Sequence, residues 1–192
     1  MLTVISLLGS ILVVFCVIKG IYNFAKTFIL RFSFTRKLNK LCAEKKYKIS
    51  YPRSPYASIF KCSSAPDIAL KTPEKEYLIR LFTCRQRKRI FFFINANTYI
   101  KVFRVFFALP GSRRHDPFDI IKTLGQLPDP DSSFTKPTSL EKVRVLLFNP
   151  APAEINYIDE NNNKLIAGNG SVIHGWTVYS AEGIINALGG RE

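Results

Sequence analysis

The chain is poor in acidic residues and in the side chains that most often bind transition metals. Its 192 residues include 14 aspartates and glutamates against 28 lysines and arginines, a formal net charge of +14. That excess favours anionic partners, either a lipid surface or nucleic acid. The chain has two histidines and four cysteines, and no two cysteines form a C-x-x-C pair. The sequence therefore argues against a cysteine–histidine zinc site, and its unclustered thiols fit a reducing compartment.

Tryptophan and methionine are also scarce, with one of each, but phenylalanine is abundant, with 16 residues. Apolar residues make up 47% of the chain, which is enough for a packed core and argues against general disorder. About 150 residues remain once the first apolar segment is set aside, the size of one ordinary domain.

The first apolar segment, Leu2 to Ile18, reads LTVISLLGSILVVFCVI and carries no charge. It lies at the short end of the roughly 17–25 residues that span a bilayer. Lys19 can extend its ammonium to the interface and Tyr22 suits the headgroup level, so the span can run slightly beyond Ile18. A cleaved signal peptide and a buried core helix are the alternatives. Because no basic residue precedes the run and no A-x-A pattern follows it, we favour a membrane anchor.

The distribution of charge on either side of this anchor predicts its orientation in the membrane. Ten basic residues lie between Lys19 and Arg53, opposed by Glu44 alone. The positive-inside rule then places the N-terminus outside and the C-terminal domain in the cytoplasm. We divide the chain into residues 1–32, a transmembrane anchor with a juxtamembrane basic segment, and residues 33–192, a soluble α/β domain. The basic stretch either contacts anionic headgroups or only sets the topology.

The remaining patterns predict a mixed domain. They indicate a helix over 33–47, a hairpin of strands over 66–70 and 76–83, two strands within 90–109, and a short helix over 118–127 with Asp116 as its cap and Pro117 at its first position. Strands follow over 143–149, 154–158 and 175–179, and Ser180 caps a closing helix. The order predicts an α/β or α+β fold with one central mixed β-sheet flanked by helices.

One segment resembles a known pattern. The predicted helix, then Pro66-Asp67 opening a strand, then a hairpin into Tyr77-Leu78-Ile79, is similar to the core of the PD-(D/E)XK, or restriction-endonuclease-like, superfamily over roughly residues 33–83. The resemblance implies a divalent metal, such as magnesium, held by that aspartate and by an acid on the second strand. It also implies a lysine two residues after that acid, which assists the attacking water.

This chain departs from that pattern. Asp67 matches the first position, but Arg80 stands where the second acid belongs and Phe82 where the lysine belongs. A guanidinium beside Asp67 repels a metal and pairs with the carboxylate. The acids available nearby are Glu74, at the turn, and Glu76, at the strand entry, and neither is followed by a lysine two residues later. We therefore expect a domain without the catalytic set and without a cofactor; magnesium is expected only if Asp67 and Glu76 form a nuclease site.

Seven basic residues are the candidates for nucleic-acid or lipid binding: Arg36, Lys37, Lys40, Arg85, Arg87, Lys88 and Arg89. The expected function is a binding or scaffolding module tied to the lipid bilayer, with a protein partner and no evident small-molecule ligand. Two alternatives stay open: a metal-dependent nuclease that uses Asp67, and a membrane-tethered protein that binds nucleic acid without cleaving it.

Overall fold

A computed structural model of the chain describes residues 2–52, 65–83, 89–106, 117–127 and 140–190. In these ranges the chain folds into two helices and eleven strands. Their bounds are α1 Leu2–Lys45, β1 Lys48–Ser50, β2 Ile68–Lys71, β3 Lys75–Phe82, β4 Arg89–Asn95, β5 Thr98–Phe106, β6 Pro117–Gln126, β7 Glu141–Phe148, β8 Glu154–Ile158, β9 Lys164–Ile166, β10 Val172–Ile173, β11 Trp176–Ser180 and α2 Ala181–Gly189.

The first helix is longer than the sequence patterns indicate. The apolar segment and the predicted helix over 33–47 are parts of one uninterrupted helix of 44 residues. Between Lys19 and Ser33 the chain has no proline and one glycine, Gly20, and a single glycine weakens a helix without ending it. The separate start predicted at residue 33 is therefore wrong.

Strands β1, β2, β3, β7, β11 and β10 form a six-stranded mixed sheet in that order. The antiparallel β2–β3 hairpin, in which Ile68 lies opposite Ile79, confirms the predicted hairpin. Strands β3, β7 and β11 are parallel. Because β7 is covered on both faces, its carboxyl half is continuously apolar rather than alternating.

The other strands form a second sheet, ordered β6-β5-β4-β8-β9. The sequence analysis predicted one central sheet, and the structure has two because strand pairing between distant segments leaves little local signal. The predicted helix over 118–127 is also wrong, since residues 117–126 form β6, which pairs with β5 except at one irregularity between Asp119 and Ile121. Pairing with an apolar, β-branched neighbour outweighs the capping pattern before Phe118. The predicted cap, Asp116, lies outside the described residues.

The domain has three layers: helices, the six-stranded sheet and the five-stranded sheet. Val145 and Leu147 pack with α1 and α2 on one face of β7, whereas Leu146 and Phe148 pack with the five-stranded sheet on the other. This alternation follows from the two-residue period of a strand. Phe82 joins the two sheets, because its ring lies edge-to-face against those of Phe91 and Tyr99 in the five-stranded sheet, at 5.7 and 5.4 Å between centroids. The mixed-sheet α/β class is thus confirmed, while the restriction-endonuclease-like arrangement stays a prediction.

The closing helix α2 begins as predicted. The hydroxyl of Ser180 accepts a hydrogen bond from the backbone N–H of Gly183 at 3.0 Å, so Ser180 is the N-cap. The helix ends at Gly189, and Gly190 adopts the left-handed conformation that terminates helices. Ile184 and Leu188 face the core beside α1.

Candidate functional site

From Ser10 to Lys26, α1 is largely apolar and is not covered by the domain. Between Ser10 and Lys26 every side chain is exposed except that of Asn23, which is half-buried, and Leu12 is 65% exposed. A helix that is hydrophobic all round must be buried in a core or in a membrane. The domain's core does not cover this part of α1. By its length and composition, the helix could cross a bilayer.

The same helix enters the domain core at Thr27. From there, buried residues recur every three or four positions on one face of α1: Thr27, Arg31, Phe34, Leu38 and Cys42. These contacts begin five residues before the boundary predicted at residue 32. The apolar segment and the domain are therefore joined by continuous helix rather than by a flexible linker.

Arg31 fixes α1 to the end of the six-stranded sheet. It is 4% exposed, its Nε donates to Oγ1 of Thr83 at 2.9 Å, and its Nη2 donates to the carbonyl of Leu81 at 3.5 Å. Nearby, Nδ2 of Asn149 donates to the carbonyl of Leu30 at 2.9 Å. The sequence analysis missed both residues as structural contacts. The available signal was an arginine within an apolar helical stretch and an asparagine directly after a buried strand.

These contacts give α1 a direction relative to the sheet. Arg31 lies at the carboxyl end of β3, whereas Lys48, just after α1, pairs with Lys71, which in turn pairs with Glu76 near the start of β3. The helix therefore runs antiparallel to β3. The carboxyl ends of β3 and β7 face the apolar segment of α1, and their amino ends lie farthest from it.

Asp67 lies directly before β2 and is 1% exposed. Its Oδ2 accepts a hydrogen bond from the backbone N–H of Leu81 at 2.8 Å, and its own N–H donates to the carbonyl of Ile79 at 3.0 Å. Its Oδ1 has no hydrogen-bond partner within the described part of the chain. The carboxylate thus continues the β2–β3 pairing by one residue, as expected for a residue at a strand start.

Arg80 occupies the position opposite Asp67 in the hairpin register, as the sequence analysis expected from its place on the second strand. Its Nη1 donates to the carbonyl of Ala65 at 2.9 Å, and the residue is 8% exposed. A buried guanidinium in this position opposes a divalent cation at Asp67.

Glu76 lies at the other end of β3. Its Oε1 is 3.1 Å from Nζ of Lys71, its cross-strand neighbour. Four residues along a strand separate Glu76 from Arg80, so Asp67 and Glu76 are roughly 13 Å apart. Ligands of one divalent cation lie within about 2.0–2.6 Å of it. The structure therefore does not bring these two acids together, and they are too far apart to be ligands of one magnesium ion.

No cluster of three or more histidine, cysteine, aspartate or glutamate side chains suited to a metal ion occurs within the ranges that the structure describes. A cleft of about 240 Å³ lies beside the start of α2, lined mostly by backbone and apolar groups between Ala151 and Ser180. Within it, Oδ1 of Asn169 already accepts a hydrogen bond from the N–H of Ser180 at 2.6 Å. Pockets for small molecules are usually larger, about 300–1,000 Å³, with several convergent polar groups.

The basic candidates fall into two groups. Arg36, Lys37 and Lys40 are exposed on α1, while Arg85, Arg87 and Lys88 lie outside the described residues. Arg89 begins β4 and is half-buried, and its carbonyl accepts a hydrogen bond from the N–H of Ala153 at 2.9 Å. Of these seven candidates, the three on α1 are therefore the ones that the structure places on an exposed surface.

The chain matches no protein-family model, no curated protein and no solved structure in comparisons with known proteins. The similarity to restriction-endonuclease-like proteins accordingly rests on the residues of the hairpin alone.

Proposed function

We propose that this protein is a single-pass membrane protein whose cytoplasmic α/β domain acts as a non-catalytic binding or scaffolding module. The observation that carries the proposal is the continuity of α1. This helix is largely apolar and uncovered between Ser10 and Lys26, and from Thr27 onward it forms part of the domain core. The domain would then be held at the bilayer by a continuous helix, without a flexible linker between it and the membrane-spanning segment.

The geometry around Asp67 supports a non-catalytic role. Its Oδ2 is engaged by the Leu81 N–H, Arg80 lies opposite, and Glu76 pairs with Lys71 at a distance. A nuclease of the resembled type needs two acids on one metal ion and a lysine near the attacking water. The described residues offer neither arrangement at Asp67.

The experiment is a topology assay on the full chain with an epitope tag after Glu192. We expect the protein to stay in the membrane after carbonate extraction and the tag to be digested when protease reaches the cytoplasmic side. The intact mass of the protein should retain residues 1–18. Release by carbonate, a protected tag or loss of those residues would each contradict the proposal, the last by identifying a cleaved signal peptide.

A nuclease assay tests the non-catalytic part separately. The full chain in detergent should not cleave DNA or RNA with magnesium or manganese. Metal-dependent cleavage that is lost in Asp67→Asn would overturn this part and leave the membrane anchor intact.

A further inference from the structure

Basic residues cluster at the end of α1 that lies farthest from the apolar segment. They lie on its outer face, roughly half a turn from the buried Phe34, Leu38 and Cys42, and at its C-terminus. We define the distal basic surface as five exposed residues: Arg36, Lys37, Lys40, Lys45 and Lys46. Glu44 is the only acid between Phe34 and Lys46. The surface therefore carries a strong net positive charge.

The distal basic surface lies beyond the part of α1 that the domain leaves uncovered, which ends at Lys26. At 1.5 Å per residue, Arg36 is about 15 Å beyond Lys26, and Lys45 is about 28 Å beyond it. The polar layer on each side of a bilayer is roughly 5–8 Å thick, and salt screens charges over about 8–10 Å. Arg36 therefore lies at the limit of the range over which headgroups act, and Lys40, Lys45 and Lys46 lie beyond it.

One local feature indicates that a charge at the end of α1 is kept at a cost to stability. Lys46 has a φ of 58°, in the left-handed region where glycine or asparagine is favoured after a helix. Residues that conflict with local stability often serve a function.

The neighbouring side chains restrict the kind of partner. Between Arg36 and Lys46 the large apolar residues Leu38 and Leu41 pack against the domain core, so the exposed surface is polar. Helices that insert into a lipid surface offer an apolar face, and protein interfaces depend on buried aromatic or apolar anchors. The phosphate backbone of nucleic acid needs only lysine and arginine side chains.

We propose that the distal basic surface binds the sugar–phosphate backbone of nucleic acid without reading its sequence. This proposal rests on the proposed function, because it names the partner of a domain displayed on the cytoplasmic side of a membrane. Binding on α1 would hold the nucleic acid about 15–28 Å beyond Lys26, where salt screens most of the repulsion by anionic headgroups.

The test uses the full chain in nanodiscs of neutral phosphatidylcholine, titrated with short duplex DNA and duplex RNA at several salt concentrations. We expect affinity to fall steeply with salt. Arg36→Gln/Lys37→Gln should weaken binding about tenfold and reduce the salt slope by about two. Lys142→Gln/Lys164→Gln is the matched control: it removes the same charge from exposed lysines of β7 and β9, outside the distal basic surface, and should leave binding nearly unchanged.

Lys46→Gly separates binding from folding. Glycine relieves the left-handed strain, so the melting temperature should rise by about 2–4 °C while binding weakens. A higher melting temperature with unchanged binding would contradict a role for Lys46 in the surface.

Equal effects of the two double variants, or no binding to either nucleic acid, would overturn the proposal. Capture of phosphatidylserine vesicles instead of nucleic acid would replace the partner with a second membrane. In both cases the chain would still be embedded in the nanodisc. Failure to enter the nanodisc would instead contradict the proposed function.

Discussion

Arg31 of α1 donates a hydrogen bond from Nε to Oγ1 of Thr83, 2.9 Å away, at the carboxyl end of β3. Arg31 lies only 13 residues after Ile18, the end of the uncharged segment. The contact therefore ties the carboxyl end of β3 to α1 shortly after its apolar stretch. Arg31 is one of the basic residues on which the predicted orientation rests, and in the folded protein it also holds α1 against β3 through hydrogen bonds.

Replacing Arg31 should destabilise the domain. Arg31→Ala removes charge-assisted hydrogen bonds to Thr83 and to the carbonyl of Leu81, and we expect a loss of about 2–3 kcal/mol in the free energy of unfolding. Arg36→Ala, on the exposed face of the same helix, should change it by less than about 0.5 kcal/mol. Denaturant unfolding of the full chain in detergent measures both. Equal stability of the two variants would show that the hydrogen bonds of Arg31 do not contribute to the free energy of unfolding.

The second half of α1 should behave as core. Leu38 is fully buried, so Leu38→Ala should cost about 2–5 kcal/mol, whereas Ile29→Ala, at a 64% exposed position, should have little effect. Both changes shorten an apolar side chain of α1, so Ile29 is a matched control for helix propensity. If Leu38→Ala were as harmless as Ile29→Ala, the domain would fold without α1.

The first half of α1 should behave as a membrane span. An arginine at the centre of a spanning helix costs about 2.5–3.5 kcal/mol on insertion scales, so Leu12→Arg/Val13→Arg should release the chain from membranes. The conservative variant Leu12→Val/Val13→Leu should remain embedded. Flotation of each variant on a density gradient is the measurement. Flotation of the double arginine variant would argue against a spanning helix.

Asp67 should matter for stability rather than for chemistry. Asp67→Ala leaves the buried N–H of Leu81 without its acceptor, at a cost of about 1–3 kcal/mol. Asp67→Asn keeps an acceptor oxygen of the same shape and should recover part of the loss. Thermal unfolding compares the two variants. If neither variant changed stability, the hydrogen bond to Leu81 would not contribute to the hairpin.

The turn between β8 and β9 supplies a pH-dependent contribution. The backbone N–H of Asn163 donates to Oδ1 of Asp159 at 2.7 Å, and this bond lowers the pKa of Asp159, with smaller contributions from the Asn163 side chain and the Asn161 backbone. A carboxyl whose pKa is lower in the folded state stabilises the protein above its unfolded pKa, about 3.9, and loses that contribution as the pH falls through the folded value.

Asp159→Asn should therefore be less stable than the unmodified chain near pH 7. The difference in their free energies of unfolding, called the gap below, should decrease as the pH falls below about 4. Glu160→Gln, in the same turn, serves as the control and should follow the unmodified chain. Urea unfolding at a series of pH values measures both gaps. A gap for Asp159→Asn that is independent of pH would contradict the assigned cause.

Local patterns were sufficient for the parts of the fold that local interactions decide. The β2–β3 hairpin, the two strands on either side of Ala96 and the Ser180 cap all follow from turn residues, alternation or capping. The strand identity of β6 did not, because it depends on pairing with β5 rather than on the residues near Pro117. The position of Arg80 opposite Asp67 followed from the hairpin register, but the bond from Leu81 to Asp67 needed the three-dimensional structure.

We propose above all that α1 crosses the bilayer and continues, as the same uninterrupted helix, into the core of the domain. Depth measurements by spin labelling test it most directly, with single cysteines introduced at Leu12, Ile18, Ile29, Arg36 and Lys40 in a chain whose own cysteines are replaced by alanine. We expect labels at Leu12 and Ile18 to be in contact with lipid. The labels at Ile29, Arg36 and Lys40 should be in water, at heights that increase by about 1.5 Å per residue. Labels at Arg36 and Lys40 lying at headgroup level, or a label at Leu12 in water, would contradict the claim.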